Sequence, residues 1–150
     1  MKNFIWSLVV VTLLAVSACC PCRKQKSTPK NQLPLLQTEW SLSHLHARGI
    51  VPEGNYWIVF ESDSTFHGVG DCNRFFGSYS QTNGRLSIHE NIGMTRMACP
   101  NGKQESEFLK MLSEADSYRI DGSTLMLLKE GEVIGVMEGK TAPESTGKEQ

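Results

Sequence analysis

RFFGSYSQTNGRLSIH, residues 74–89, reads as two strands joined by a tight turn. Asn83-Gly84 is the strongest short hairpin signal, because both residues accept the positive φ angles of a type I′ turn. After the turn, Leu86 and Ile88 alternate with Ser87 and His89, the period-2 pattern of a strand with one buried face. Before it, Phe75 or Phe76 and then Tyr79 supply apolar area for a sheet core.

Similar segments lie on both sides. Tyr56-Trp57-Ile58-Val59-Phe60 is aromatic and β-branched and follows the turn residues Pro52 and Gly54. Thr65-Phe66-His67-Gly68-Val69 follows Asp63-Ser64. Towards the C-terminus, Tyr118-Arg119-Ile120, Thr124–Leu128 and Val133–Met137 are separated by Asp121-Gly122 and Glu130-Gly131, both hairpin turns by composition. One segment has the helical period: Lys103–Ala115 places Phe108, Leu109, Leu112 and Ala115 on one face. Glu105 and Glu107 near its start suit the helix dipole. Strands, one helix, then strands predict an α+β fold, a curled antiparallel β-sheet or partial barrel with one packed α-helix.

The ends of the chain have a different character. Met1-Lys2-Asn3 is a short basic start, and Phe4–Val16 is almost wholly apolar. At about 1.5 Å per residue this run reaches roughly 20 Å, short of the roughly 30 Å hydrocarbon core of a bilayer. A run of that length ending in the small residues Ser17-Ala18 reads as a secretory signal, residues 1–18, rather than a membrane span. Residues 19–37 carry Pro21, Pro29 and Pro34 among Lys, Gln, Ser and Asn and read as a flexible tether. By the same composition, residues 139–150 read as a disordered tail. A single folded domain from about Leu35 to Glu138 remains.

Removing residues 1–18 takes away only Lys2 among the charged residues, leaving 14 basic against 16 acidic side chains. With no basic stripe, nucleic acid is not an expected partner. Five cysteines divide into Cys19, Cys20 and Cys22 in the tether and Cys72 and Cys99 in the domain. Export to an oxidising compartment makes Cys72 and Cys99 a candidate disulfide.

Two resemblances add to this reading. Val16-Ser17-Ala18-Cys19 resembles the lipobox of bacterial lipoproteins, which implies cleavage before Cys19 and lipidation of that residue. Two or more acyl chains anchor a protein stably, so the membrane becomes a partner through the lipid. Cys20 stands where an inner-membrane retention signal would carry Asp, and Arg23, Lys24 and Lys26 follow. The resemblance therefore implies the outer membrane, with the domain facing the periplasm.

The second resemblance spans residues 38–138. Thr38-Glu39-Trp40-Ser41-Leu42, Gly70-Asp71-Cys72-Asn73-Arg74-Phe75-Phe76-Gly77-Ser78-Tyr79 and Ile92-Gly93-Met94-Thr95-Arg96-Met97-Ala98-Cys99 together resemble the META (HslJ-like) domain. Glu105, Phe108, Leu109 and Leu112, followed by Ser117-Tyr118-Arg119-Ile120, continue the likeness. Its motif falls on Trp40, Gly70, Cys72, Asn73, Phe75, Gly77, Tyr79, Thr95, Met97, Ala98 and Cys99. Physically these residues read as structural: Gly70 and Gly77 permit close approach, Asn73 caps a turn, and Met94 and Met97 fill irregular core space.

No G-x-S-x-G elbow, H-E-x-x-H, P-loop or dinucleotide fingerprint occurs, so no catalytic residue and no cofactor is assigned. His44 and His46 would share one side of a strand and are weak candidate metal ligands. His67 and His89 read as surface or edge residues. The expectation is a non-enzymatic lipoprotein that binds an unknown envelope partner. The META resemblance implies an association with stress tolerance. The alternative is a small-ligand or metal-binding module.

Overall fold

In the computed structural model, which describes residues 32–46, 49, 51–98, 100 and 102–141, the Asn83-Gly84 hairpin forms with φ of +52° and +82°. Among the described residues nine strands and one helix follow in chain order: β1 (Thr38–Leu45), β2 (Tyr56–Phe60), β3 (Thr65–Gly70), β4 (Asn73–Thr82), β5 (Arg85–Ile88), β6 (Gly93–Met94), α1 (Gly102–Glu114), β7 (Ser117–Asp121), β8 (Thr124–Lys129) and β9 (Glu132–Thr141). The described residues are 54% strand and 12% helix.

The sheet closes on itself, which corrects the expected α+β fold with a curled sheet or partial barrel. Eight strands form a ring in the order β3-β2-β1-β9-β8-β7-β5-β4, and β4 returns to β3 through six pairs from Thr65↔Ser78 to Gly70↔Asn73. β6 adds beside β4 through Phe75↔Met94 and Phe76↔Gly93. All pairings between these strands are antiparallel, so the result is a closed eight-stranded antiparallel β-barrel with one short helix. Hairpin signals report only strands adjacent in sequence. Closure rests on two pairings between distant segments, β1 with β9 and β5 with β7. The second is the thinnest seam: one registered pair, Arg85↔Ser117, reinforced by Leu86 N–H to Asp116 O at 3.1 Å and Tyr118 N–H to Gly84 O at 2.9 Å.

Inward positions hold Trp40, Ile58, Phe60, Phe66, Phe75 and Tyr79, with Leu125, Leu127 and Met137 opposite. Glycine makes room for the large rings: a Cβ on Gly77 would lie 2.6 Å from Phe66 Cζ. Each barrel end has its own cover. At one end α1 buries Phe108, Met111 and Leu112, with Phe108 edge-on to both Tyr56 and Phe75 at 5.4 and 5.8 Å. At the other, residues 32–37 cross the opening, tied by Leu33 N–H to Gly122 O at 2.9 Å and Gln37 N–H to Phe60 O at 2.8 Å. Leu35 is buried there, so part of the expected tether belongs to the folded unit. So does the start of the expected tail, because β9 runs to Thr141 opposite Thr38. The helix begins one residue before the predicted Lys103 and presents Met111 rather than Leu109 as a fully inward side chain.

Candidate functional site

A barrel strand facing water should alternate apolar-in with polar-out. Three adjacent strands break that rule. Outside the barrel, β2 presents Trp57 and Val59, β3 presents His67 and Val69, and β4 presents Arg74 and Phe76. The register aligns them in two rows across the sheet. One row is Trp57↔Val69↔Arg74, and the other is Val59↔His67↔Phe76↔Gly93.

The rows enclose a groove of about 320 Å³ whose walls are mostly apolar, lined by Trp57, His67, Val69, Arg74 and Phe76, with Gly68 and Phe75 at its floor. Trp57 and His67 meet edge to face, with centroids 5.8 Å apart and planes at 89°. Phe76 is 61% exposed, and its ring lies over Gly93, where a Cβ would come within 2.5 Å of its Cζ. Met94 and Met97 are also exposed, at 41% and 63%, but Met94 pairs with the inward Phe75 and does not share the face of Phe76. Contiguous exposed apolar area of this kind marks interaction surfaces.

The charges around the groove are unequal. His67 Nδ1 lies 3.4 Å from Glu61 Oε1, so the carboxylate on that side has a partner. Arg74 is exposed and makes no salt bridge among the described residues. Its guanidinium is a permanent cation with a planar fork suited to carboxylates.

Beneath the groove, Asn73 organises the neighbouring loop. Its Oδ1 accepts from Met97 N–H at 2.8 Å and Thr95 Oγ1–H at 3.0 Å, while its Nδ2 donates to Met97 O at 3.3 Å and Glu105 Oε2 at 2.9 Å. Thr95 adds a two-way link to Arg74, N–H to O and Oγ1 from N–H, both at 3.0 Å. The family-like motif is therefore a buried polar joint between β4, the 95–98 loop and α1, not a turn cap. A second depression, about 520 Å³, lies between β4–β5 and the end of α1. Its Asp116 already accepts from Glu130 N–H and Ser117 Oγ–H, both at 2.6 Å. Those bonds, Ser117's first, hold the Asp116 carboxyl below the usual range.

Several sequence expectations are corrected here. Met94 and Met97 are on the surface rather than in the core, because a two-residue strand and a loop pinned to Asn73 hold them outside the barrel. Of the Phe75-Phe76 pair, Phe75 enters the core and Phe76 leaves it. His44 and His46 do not share a strand face. β1 ends at Leu45, His46 turns away with φ +59°, and His44 Nδ1 is 2.8 Å from Ser43 Oγ. Among the described residues no group of three or more His, Cys, Asp or Glu side chains could hold a metal ion.

Trp40, Gly70, Phe75 and Tyr79 are buried, and Tyr79 Oη–H donates to Glu61 O at 2.7 Å. Thr95 and Ala98 are exposed. Cys19 and Cys99 lie outside the described residues. The outward row missed by motif reading has one sequence signal: residues 56–60 are apolar on both faces of the strand, not on one.

A closed barrel with a helix over one end and an apolar groove on its flank is the architecture to be matched. The META domain family model matches residues 33–141, and the chain belongs to that family. Among solved structures it is similar to a protein from Burkholderia xenovorans determined by NMR, at 25% identity and a TM-score of 0.59, covering 72% of this chain and 85% of that one. A DUF4847 family protein from Bacteroides vulgatus, known from a crystal structure, shares the fold at 16% identity and a TM-score of 0.51, over 73% and 96% of the two chains. Comparison with curated proteins gives no match.

Proposed function

We propose that this chain is a non-enzymatic lipoprotein, anchored through Cys19 to the outer membrane and facing the periplasm. Its barrel binds an envelope partner through the groove between Trp57 and Phe76. The carrying observation is the outward apolar row on three adjacent strands, with Arg74 at its edge making no salt bridge among the described residues. An occupant complementary to both is an apolar or aromatic segment flanked by carboxylates. The apolar part fills the groove and the carboxylate meets the guanidinium. A volume of about 320 Å³ is at the low end of small-molecule sites, roughly 300–1,000 Å³, so a free aromatic carboxylate is the second reading. The His44–His46 metal reading has no support in the geometry.

Binding is tested by NMR titration of the full chain in micelles with peptides that place Phe or Leu beside Glu. Shifts should map to Trp57, Val69 and Phe76. Phe76→Ala should weaken binding about tenfold, and Arg74→Glu should reverse the preference towards Lys-flanked peptides. Shifts confined to the 80–87 and 113–116 depression, or no change with Arg74→Glu, would place the site elsewhere. Phe76 is exposed, so its loss should change stability by no more than about 0.5 kcal/mol.

Anchoring has its own test. Intact-mass measurement of membrane-extracted protein should give an acylated N-terminal Cys19. An unlipidated terminus, or cleavage at another residue, refutes the anchor. Rapid loss of the domain from intact cells under added protease would put it on the outer face instead.

A further inference from the structure

Two buried oxygens inside the helix-covered end of the barrel have no hydrogen-bond partner among the described residues: Tyr56 Oη and Glu105 Oε1. Their residues are 3% and 6% exposed. Buried polar atoms are nearly always satisfied, by protein or by ordered water, since an orphan forfeits its full solvation. Two such atoms at the same end of the barrel call for a partner.

Both side chains border Gly70. Tyr56 is the cross-strand neighbour of Gly70, and a Cβ on Gly70 would lie 3.0 Å from Glu105 Oε1. Gly70 thus leaves open the space that the Glu105 carboxylate enters. From one turn further along α1, Phe108 packs edge-on against the Tyr56 ring at 5.4 Å, so the same helix face supplies the carboxylate and the wall beside the phenol. Burial, and then the charges of Asp71 and Glu105, push the Tyr56 hydroxyl up to about 12, so it stays a donor at neutral pH.

The chemistry limits what can sit there. The phenol donates and the carboxylate accepts, yet the two do not bond directly. A metal ion is disfavoured, because no metal-binding group of side chains is present among the described residues. We infer that one internal water molecule bridges Tyr56 and Glu105, accepting from the Tyr56 hydroxyl and donating to Glu105 Oε1. Internal waters typically make about three hydrogen bonds to such groups. With Oε1 satisfied in this way, Oε2 remains committed to Asn73, whose other bonds fix the backbone of Met97. The water is therefore a structural part of the joint between helix, barrel and the 95–98 loop.

The test is water-selective NMR on the full chain in micelles, paired with thermal unfolding. Wild-type protein should give a long-lived water cross-peak to the Tyr56 ring and the Gly70 amide. Tyr56→Phe should abolish it and lower Tm by about 4–8 °C, the effect of one lost net hydrogen bond in a domain of this size. Glu105→Gln keeps an acceptor oxygen for Asn73 and turns an amide N–H, which the water can accept, to the place of Oε1, so the cross-peak should be retained. A cross-peak that survives Tyr56→Phe overturns the bridge. So does a Tyr56→Phe protein as stable as wild type with no water signal in either.

Discussion

Trp40→Ala should lower the unfolding free energy by about 3–5 kcal/mol, the range for truncating a fully buried tryptophan. The side chain is wholly enclosed, and two features keep the site from collapsing around the vacancy. The indole N–H donates to Leu35 O at 3.0 Å, so truncation also leaves that carbonyl without its partner. Across the β1–β9 seam Trp40 faces Gly139, which has no side chain to move into the gap; a Cβ there would already sit 2.7 Å from Trp40 Cζ3. Against a typical total of about 5–15 kcal/mol, the loss is a third or more for most domains. Urea unfolding should show a lowered midpoint with the same slope. A change below about 1 kcal/mol would mean that the ring does not hold the β1–β9 seam, on which closure of the barrel depends.

The difference between Trp40 and Trp57 shows what the sequence could carry. Trp40 stands in a mostly polar strand and Trp57 in a wholly apolar one, yet it is Trp40 that the closed ring encloses. The hairpins at Asn83-Gly84 and Glu130-Gly131 were legible because turn chemistry is local: both pairs adopt positive φ, which Asn83 and the two glycines accept readily. The helix was legible from its period. Closure was not, because an open and a closed sheet have the same alternation, and Thr38↔Thr141 joins segments about as far apart as the domain permits. Phe75-Phe76 was ambiguous for a similar reason. Neighbours on a strand point to opposite faces, and nothing within the pair says which face is inside. Glu105 read naturally as a partner of the helix dipole. Its burial depends on Gly70, which is far away in sequence and adjacent in the barrel. The groove was partly visible, since a run apolar on both faces, such as residues 56–60, requires two covers and the barrel supplies one.

Oxidation state should have the other large effect. We propose that Cys72 and Cys99 form a disulfide, and that reducing it lowers stability by about 3–4 kcal/mol in the chain-entropy model for a loop of this length. Cys72 is not a free thiol and adjoins Asn73. Met97 is held to Asn73 by bonds in both directions, at 2.8 and 3.3 Å, which brings the chain two residues before Cys99 beside the residue after Cys72. Two further residues span at most about 7 Å, compatible with the roughly 4.4–6.8 Å between Cα atoms that a bridge requires. With Cys19 lipidated, the alternative partners in this chain are Cys20 and Cys22. Peptide mapping without reduction should therefore give a Cys72–Cys99 peptide, and dithiothreitol should lower Tm of the wild type but not of a Cys72→Ala, Cys99→Ala protein. Free alkylation of Cys72 and Cys99 in unreduced, denatured protein would eliminate the bridge. The Asn73 joint would then have to hold the 95–98 loop without a covalent clamp.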